Sequence, residues 1–235
     1  MQVKKLNYTG NKRAYNRKGV FFMAAKRVLI FAGGTIDPDI IKEIRKDDMI
    51  IGADRGALFL VQHGIRPDLA VGDFDSVTPE ELKLIQANSR EMIACDAVNK
   101  DLTDTELAFD LAIERHASEV VMTGVVGTRL DHTLSNIQMM LRGMQHQITS
   151  AIWDAHNYVT LTGTSCIVEE RGFKYVSLLP LTTEVTGIHL EGFMYPLDNA
   201  TLKMGQSLGV SNRLKGTKGT VRIESGLLLI IQSKD

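Results

Sequence analysis

Short apolar runs alternate with helical patterns from Arg27 to about Ser150, and this alternation restricts the fold more than any other feature of the chain. The apolar runs have the length of buried strands and end in glycine or charged residues, as in RVLIFAGG and EVVMTGVVG. Between these runs, segments such as TDTELAFDLAIERHA carry apolar residues at helical spacing. Strands and helices that alternate in this way predict a mostly parallel sheet with helices on both faces.

The pattern changes after about Ser150 to short strands separated by glycine, proline and asparagine. Runs such as NYVTLTG, KYVSLLPL and GLLLIIQS have strand character, and no long helical pattern remains. We therefore predict an N-terminal α/β domain followed by a smaller C-terminal β-sandwich or barrel. The expected organisation is a basic, mobile tail over residues 1–25, the α/β domain over 26–150 and the β-rich domain over 151–235.

Composition excludes several classes of partner. The 235 residues are 44% hydrophobic and 23% charged, as in ordinary globular proteins, and the net charge of −1 provides no basic field for nucleic acid or an anionic membrane. The longest apolar runs fall short of a membrane helix, and the N-terminal segment lacks the apolar core of an export signal. Cys95 and Cys166 show no metal-type spacing, which favours a reduced cytoplasmic setting.

Five polar or glycine-rich segments follow predicted strands in the α/β half: GGT, GADRG, GDFDS, NKDLTD and GVVGTRLDH. In parallel sheets, ligands bind outside the carboxyl ends of the strands. Because all five segments fall at that edge, the sequence predicts a ligand site there. The P-loop pattern GxxxxGK[ST] is absent, and so are GxSxG and HExxH.

GDFDS places Asp73 and Asp75 one residue apart, directly after an apolar run. In extended backbone, such residues point to the same side, where their carboxylates repel each other unless a cation lies between them. Two interpretations stay open for this motif alone. It is either a solvated acidic turn or a site of hard oxygen ligands that holds Mg2+ against a nucleotide phosphate.

NKDLTDTELA contains a second acidic pair at a helix start. Thr103 and Glu106 have the spacing of a capping box, which makes Thr103 the N-cap and Asp104 the first helical residue. The helix dipole favours an aspartate there without any further role. If the GDFDS pair faces this helix, Asp101 and Asp104 would complete an oxygen-rich cage that requires a metal ion.

GVVGTRLDH leads from a predicted strand into a helix. Its glycines allow close backbone approach, and Arg129 can form forked hydrogen bonds with phosphate. Asp131 or Thr133 would cap the next helix, and His132 is either a packing residue or an acid–base group.

In GADRG, Asp54 is suited to a ribose hydroxyl or to backbone amides. Arg55 fits either a phosphate contact or a surface ion pair.

Taken together and in order, these segments resemble the bacterial thiamine pyrophosphokinase (thiamine diphosphokinase) family. The matching segments are GADRGALFLVQHGIRPDLAVGDFDS, KDLTDTELA, TRLDHTLSN, YVSLLPL, GFMYPL and SLGVSN, and the resemblance runs from about Arg27 to Asp235. It implies an α/β catalytic domain that binds nucleotide and metal, a thiamine-binding β-sandwich and a homodimer with active sites at the subunit interface. It also implies Mg2+-dependent transfer of pyrophosphate from ATP to thiamine, which gives thiamine diphosphate and AMP.

The resemblance also implies roles for individual residues. The implied metal ligands are Asp73, Asp75 and Asp104, and the implied catalytic group is Asp73, Asp75, Asp101, Asp104 and Arg129. The implied substrate-binding group is Asp54, Arg55, Gly56, Thr103, Arg129, Asp131, His132, Ser211 and Asn212, of which Ser211 and Asn212 belong to the thiamine pocket.

Three alternatives are consistent with parts of the sequence. A sugar-nucleotide transferase also uses a DxD motif after a strand, but it requires neither the KDLTDTE segment nor a β-rich second half. A nucleotide or thiamine sensor would use the same groups for binding alone, and an interaction domain would use them only in loops. Release of AMP from ATP on addition of thiamine separates the transferase of the thiamine family from all three.

Overall fold

The computed structural model describes residues 4–6, 27–95 and 102–235. It divides into two compact units, Met1–Ser150 and Ala151–Asp235. Most of the predicted tail, together with Asp101, lies outside the described residues. Within the described part of the chain, no helix combines the length and apolar character needed to cross a membrane.

The first unit is an α/β structure, as predicted. Its strands are β1 (Lys4–Leu6), β2 (Arg27–Phe31), β3 (Met49–Ala53), β4 (Leu69–Gly72), β5 (Glu91–Cys95) and β6 (Glu119–Thr123). Its helices are α1 (Arg55–Gln62), α2 (Pro79–Asn88), α3 (Asp104–Glu114) and α4 (Leu130–Gln145), and a short 3-10 helix covers Pro38–Glu43. The strand order is β1-β5-β4-β3-β2-β6, and the pairings described along it are parallel.

Burial explains why these strands appear in the sequence as continuous apolar runs. Every residue of β2 and of β4 is buried, because helices cover both faces of a parallel sheet. Helix α1 packs closely on this sheet at two glycines. A Cβ added to Gly52 would lie 2.4 Å from the Cα of Ala57, and one added to Gly56 would lie 1.9 Å from the carbonyl oxygen of Phe31. Glycine is therefore required at both positions.

Helix starts in this unit follow capping rules. In α2, Thr78 and Glu81 form a complete capping box, with Pro79 in the first turn as predicted. In α3, the prediction of Thr103 as N-cap is confirmed, because its Oγ1 accepts a hydrogen bond from the backbone N–H of Glu106 at 3.2 Å. The Glu106 carboxylate accepts a hydrogen bond from Arg142 of α4.

The second unit contains antiparallel strands. They are β7 (Thr149–Trp153), which begins at the unit boundary, β8 (Asn157–Thr162), β9 (Ser165–Glu169), β10 (Tyr175–Pro180), β11 (Glu184–Glu191), β12 (Ala200–Lys203), β13 (Lys218–Arg222) and β14 (Leu228–Ser233). One set pairs in the order β7-β8-β14-β10, and the other forms the sheet β12-β11-β13-β9.

Buried side chains from both sets form one hydrophobic core, with Val176 and Ile230 from the first set and Val185 and Val221 from the second. The strands therefore pack as two layers, and the predicted β-sandwich is confirmed.

Candidate active site

A cavity of about 330 Å³ lies in the α/β unit at the carboxyl ends of β2, β3 and β6. It is lined by residues 32–34 after β2, 53–54 at the end of β3, 103–105 at the start of α3, 124–129 after β6, and His132, Thr133 and Asn136 of α4. Four of the five polar segments singled out in the sequence contribute to this lining. The fifth, GDFDS, is joined to the cavity through Asp54.

Asp54, Asp73 and Asp75 form an acidic cluster, in which one carboxylate oxygen from each lies within 4.8 Å of the other two. Asp54 follows β3, and the other two follow β4. Between them, Phe74 is 5% exposed and has a φ of 57°, so its buried ring anchors the loop that carries both aspartates. Three carboxylates this close repel one another, and a cation among them would remove that cost.

The two oxygens of Asp54 have different surroundings. Oδ2 accepts a hydrogen bond from the hydroxyl of Ser76. Oδ1 is buried and has no hydrogen-bond partner among the described residues. A buried carboxylate oxygen without a protein partner, next to two other carboxylates, fits a divalent cation that takes oxygen ligands. The sequence pointed to a ribose or backbone contact for Asp54, whereas the structure places its side chain in the acidic cluster.

The backbone at Asp54 is held in an uncommon conformation. Its φ of 51° and ψ of −119° lie in a region that costs a non-glycine residue on the order of 1 kcal/mol. The amide of Asp54 donates to the carbonyl oxygen of Val71 at 2.8 Å, which ties this turn to the end of β4. The cluster is therefore assembled from two neighbouring strand ends that are linked by a backbone hydrogen bond.

Asp104 lies against Gly72, the last residue of β4. A Cβ added to Gly72 would lie 3.2 Å from both Cγ and Oδ1 of Asp104, so the absence of a side chain at Gly72 leaves room for this carboxylate. Of the predicted metal ligands Asp73, Asp75 and Asp104, the first two form the acidic cluster with Asp54, whereas Asp104 is not part of that cluster and lies at the same strand end. Asp101 falls outside the described residues.

Arg129 and Asp131 form an exposed ion pair at the start of α4, with Arg129 Nη2 donating to Asp131 Oδ2 at 2.6 Å. The hydrogen bond from the guanidinium lowers the pKa of Asp131 and raises that of Arg129. The expectation that Asp131 or Thr133 caps α4 is wrong. Arg129 is the N-cap residue, because the helix already begins at Leu130 and the Asp131 carboxylate is occupied by the guanidinium.

The loop between β6 and α4 is held from two sides. Asn136 of α4 is 9% exposed, and its Nδ2 donates to the carbonyl oxygen of Val125 at 2.8 Å. The carbonyl oxygen of Gly124 accepts from the amide of Gly34 at 2.8 Å, which joins the loops that follow β2 and β6. Sequence reasoning missed Asn136, although a polar side chain on the buried face of an amphipathic helix is a signal for such a contact.

Thr133 also contacts this loop. The amide of Gly127 donates to its Oγ1 at 3.3 Å, and the same hydroxyl donates to the carbonyl oxygen of Arg129 at 3.2 Å. The hydroxyl therefore braces the helix start instead of capping it. His132 lines the cavity with a half-exposed side chain, and its Nε2 lies 4.0 Å from Oδ2 of Asp131.

Arg55 and Gly56 contribute to local structure. The Nη1 of Arg55 donates to the carbonyl oxygen of Ser76 at 3.2 Å, so the side chain reaches across to the GDFDS loop. Gly56 is buried against Phe31, as described for α1. Both contacts hold the turn that carries Asp54 against its neighbours.

Ser211 and Asn212 belong to the sandwich unit. Ser211 has a φ of 62°, and its amide donates to Oγ of Ser177 at 3.1 Å. Asn212 is 6% exposed, with Oδ1 accepting from the amides of Tyr195 and Arg213 and Nδ2 donating to the carbonyl oxygen of Tyr195 at 2.7 Å. The amide of Asn212 thus joins two loops. Four exposed apolar side chains belong to the segments on either side of this hydrogen bond: Met194, Tyr195, Leu208 and Val210.

Two family models match the chain. The model described as thiamin pyrophosphokinase, catalytic domain, matches residues 40–152. The model described as thiamin pyrophosphokinase, vitamin B1 binding domain, matches residues 164–228.

Individual proteins show the same similarity. Thiamine pyrophosphokinase of Bacillus subtilis is 33% identical over 214 residues, which cover 89% of this chain and 100% of the relative. The crystal structure of that protein has a TM-score of 0.84 at 32% identity, with 89% of this chain and 100% of the other covered. Thiamin pyrophosphokinase from Geobacillus thermodenitrificans has a TM-score of 0.80 at 34% identity, with coverage of 89% and 98%.

Proposed function

The chain belongs to the thiamine pyrophosphokinase family, and from this premise we propose that its α/β cavity binds ATP with Mg2+ and presents the β-phosphoryl group to thiamine. The enzyme catalyses ATP-dependent transfer of pyrophosphate to thiamine. In this transfer the bond from Pβ to the oxygen that bridges the α- and β-phosphates breaks, and a bond forms between Pβ and the hydroxyethyl oxygen of thiamine. AMP leaves, and the hydroxyl proton is released.

The observation that carries the metal assignment is the buried Oδ1 of Asp54, which has no partner among the described residues and lies beside Asp73 and Asp75. We assign Asp54, Asp73, Asp75 and Asp104 to the group that holds Mg2+. When bound, the cation supplies positive charge to the phosphate oxygens, which phosphoryl transfer requires. The carboxylates would hold the cation beside the cavity, because Asp54 and Asp104 belong to the cavity lining.

The remaining residues of the cavity position the nucleotide. The loops at 32–34 and 124–127 present backbone to the cavity. Thr103 marks the start of α3, and the N-terminus of a helix attracts an anion. Arg129 is 68% exposed and forms a forked contact with Asp131, which a phosphate would replace or share. His132 lines the cavity, and in this account it contacts substrate without a proton-transfer role.

We propose that thiamine binds around Ser211 and Asn212. The enzyme would act in the cytoplasm as a homodimer whose active sites lie at the subunit interface. Exposed apolar side chains support such an interface, since Leu130 is 72% exposed and Tyr195 is 66% exposed. Cys166 is a free thiol, which agrees with a reducing compartment.

The experiment that tests the function follows products by phosphorus NMR. Purified protein with ATP, Mg2+ and thiamine should give thiamine diphosphate and AMP in equal amounts, and EDTA should stop both. ADP in place of AMP would contradict pyrophosphoryl transfer, and ATP binding without products would favour the sensor alternative.

Mixing two inactive variants tests the interface. Asp75→Asn and Asn212→Ala each disable one half of a composite site, so equal mixing should restore about a quarter of wild-type activity through one intact site in each mixed dimer. No recovery, with subunit exchange demonstrated, would place each site within a single subunit.

A further inference from the structure

Ser76 lies directly after the acidic pair of GDFDS, and its side chain is exposed. Its Oγ donates to Oδ2 of Asp54, which is 22 residues earlier in the chain. Its backbone carbonyl accepts from Nη1 of Arg55 at 3.2 Å. Two contacts therefore connect the Ser76 turn to the turn at the start of α1.

The contact with Asp54 determines which carboxylate oxygen remains for a ligand. Because the serine hydroxyl occupies Oδ2, rotation of the carboxylate is restricted, and Oδ1 stays buried without a partner in the described part of the chain. One oxygen of this carboxylate lies within 4.8 Å of ligand oxygens from Asp73 and Asp75. A metal-facing carboxylate is commonly held in orientation by a hydrogen bond of this kind.

We infer that Ser76 is a positioning residue for the divalent-cation site, in which its hydroxyl fixes the Asp54 carboxylate so that one oxygen is presented to the cation. This inference rests on the proposed metal site. Ser76 itself does not contact the cation or the substrates in this account. Its removal should weaken metal binding and leave the chemistry intact once the site is filled.

The inference is tested by measuring the binding of Mn2+ alone to the full-length chain. The electron paramagnetic resonance signal reports free Mn2+, and Mg2+ serves as the competitor. Loss of a hydrogen bond to a metal ligand typically weakens binding ~10–100-fold, and since Ser76 is exposed we expect Ser76→Ala to weaken Mn2+ binding by about tenfold. Ser76→Thr retains the hydroxyl and should restore binding. Ser165→Ala, which removes an exposed hydroxyl from β9 in the sandwich unit, is the matched control and should bind Mn2+ as the wild type does.

A second readout separates orientation from loosening of the loop. In the product assay, Ser76→Ala should raise the Mg2+ concentration for half-maximal rate by a similar factor, and the rate at saturating Mg2+ should return to that of the wild type. The melting temperature should stay unchanged.

Two results would overturn the role of Ser76 and leave the proposed function standing: equal Mn2+ affinity in Ser76→Ala and wild type, or equal losses in Ser76→Ala and Ser76→Thr. Failure of the wild-type chain to bind Mn2+ would instead overturn the metal site, and the role of Ser76 with it.

Discussion

The turn at Asp54 in the α/β unit and the turn at Ser211 in the sandwich unit both place a non-glycine residue at positive φ, 51° and 62° respectively. In the sandwich, the neighbouring Asn212 uses its buried amide in hydrogen bonds to Tyr195 and Arg213. In the α/β unit, Oδ1 of Asp54 is buried with no partner among the described residues. The sandwich turn is thus complete in itself, whereas the α/β turn requires a ligand.

This difference separates the two tasks of the enzyme. The α/β unit gathers acidic side chains in one cluster, an arrangement that metal-assisted phosphoryl transfer uses. In the sandwich unit, the Asn212 amide is hydrogen-bonded within the protein, and apolar side chains such as Tyr195 and Leu208 are exposed. An exposed apolar surface suits recognition of a ring-containing substrate or of a second subunit. Substitutions in the first turn should therefore change activity at little cost in stability, whereas substitutions in the second should lower stability as well as activity.

The largest effect is expected for Asp75→Asn. It removes one charge from the acidic cluster without a change in shape, so the transfer rate at moderate Mg2+ should fall by about 100-fold or more. Because it also relieves repulsion between carboxylates, the melting temperature without metal should stay the same or rise. Calorimetry and the product assay measure the two effects, and normal AMP formation by this variant would refute the metal assignment.

Asn212→Ala should lower stability as well as activity. It leaves the amides of Tyr195 and Arg213 and the carbonyl oxygen of Tyr195 without their partner, which should lower the free energy of unfolding by about 1–3 kcal/mol. Mn2+ affinity should not change. Denaturant unfolding measures the loss of stability. Asp54→Asn is the comparison variant, and it should not lower the free energy of unfolding because asparagine also tolerates positive φ. Equal destabilisation by both variants would remove the distinction between the turns.

Asn136→Ala should affect the nucleotide more than the fold. It releases the carbonyl oxygen of Val125 and so loosens the loop between β6 and α4, and we expect the KM for ATP to rise about tenfold. Asn88→Ala removes a similar bond, from Nδ2 to the carbonyl oxygen of Leu84, on the exposed face of α2 and is the matched control. Equal KM values for ATP in the two variants would show that the loop needs no support from α4.

The smallest effect concerns Cys166 of the sandwich, where burial raises the pKa of the thiol to about 11. The unfolded thiol, with a pKa near 9.0, ionises first, so the stability that the thiol contributes is complete below pH 9 and is lost as the pH rises towards 11. At pH 8 the thiolate fraction is about 100-fold lower in the folded chain, so iodoacetamide should modify Cys166 about 100-fold more slowly than in the urea-unfolded chain. Equal rates would mean that this part of the sandwich is open to solvent.

Much of the architecture could be predicted because it depends on local pattern. The strand–helix alternation, Thr103 as N-cap and the approach of Asp73 and Asp75 each follow from spacing along the chain. The hydrogen bonds from Ser76 to Asp54 and from Asn136 to Val125 could not be predicted, since they join residues 22 and 11 positions apart and depend on strand order. The same holds for β1, since nothing in the composition of the tail indicated that residues 4–6 pair with β5.

The ligand requirement of the Asp54 turn is tested most directly by crystals of the full chain grown with Mn2+ and a non-hydrolysable ATP analogue. We expect an anomalous scattering peak in contact with Oδ1 of Asp54 and with the carboxylates of Asp73 and Asp75, next to the phosphates of the analogue. An analogue bound with no peak there, and with Oδ1 of Asp54 bonded to a protein group, would contradict it.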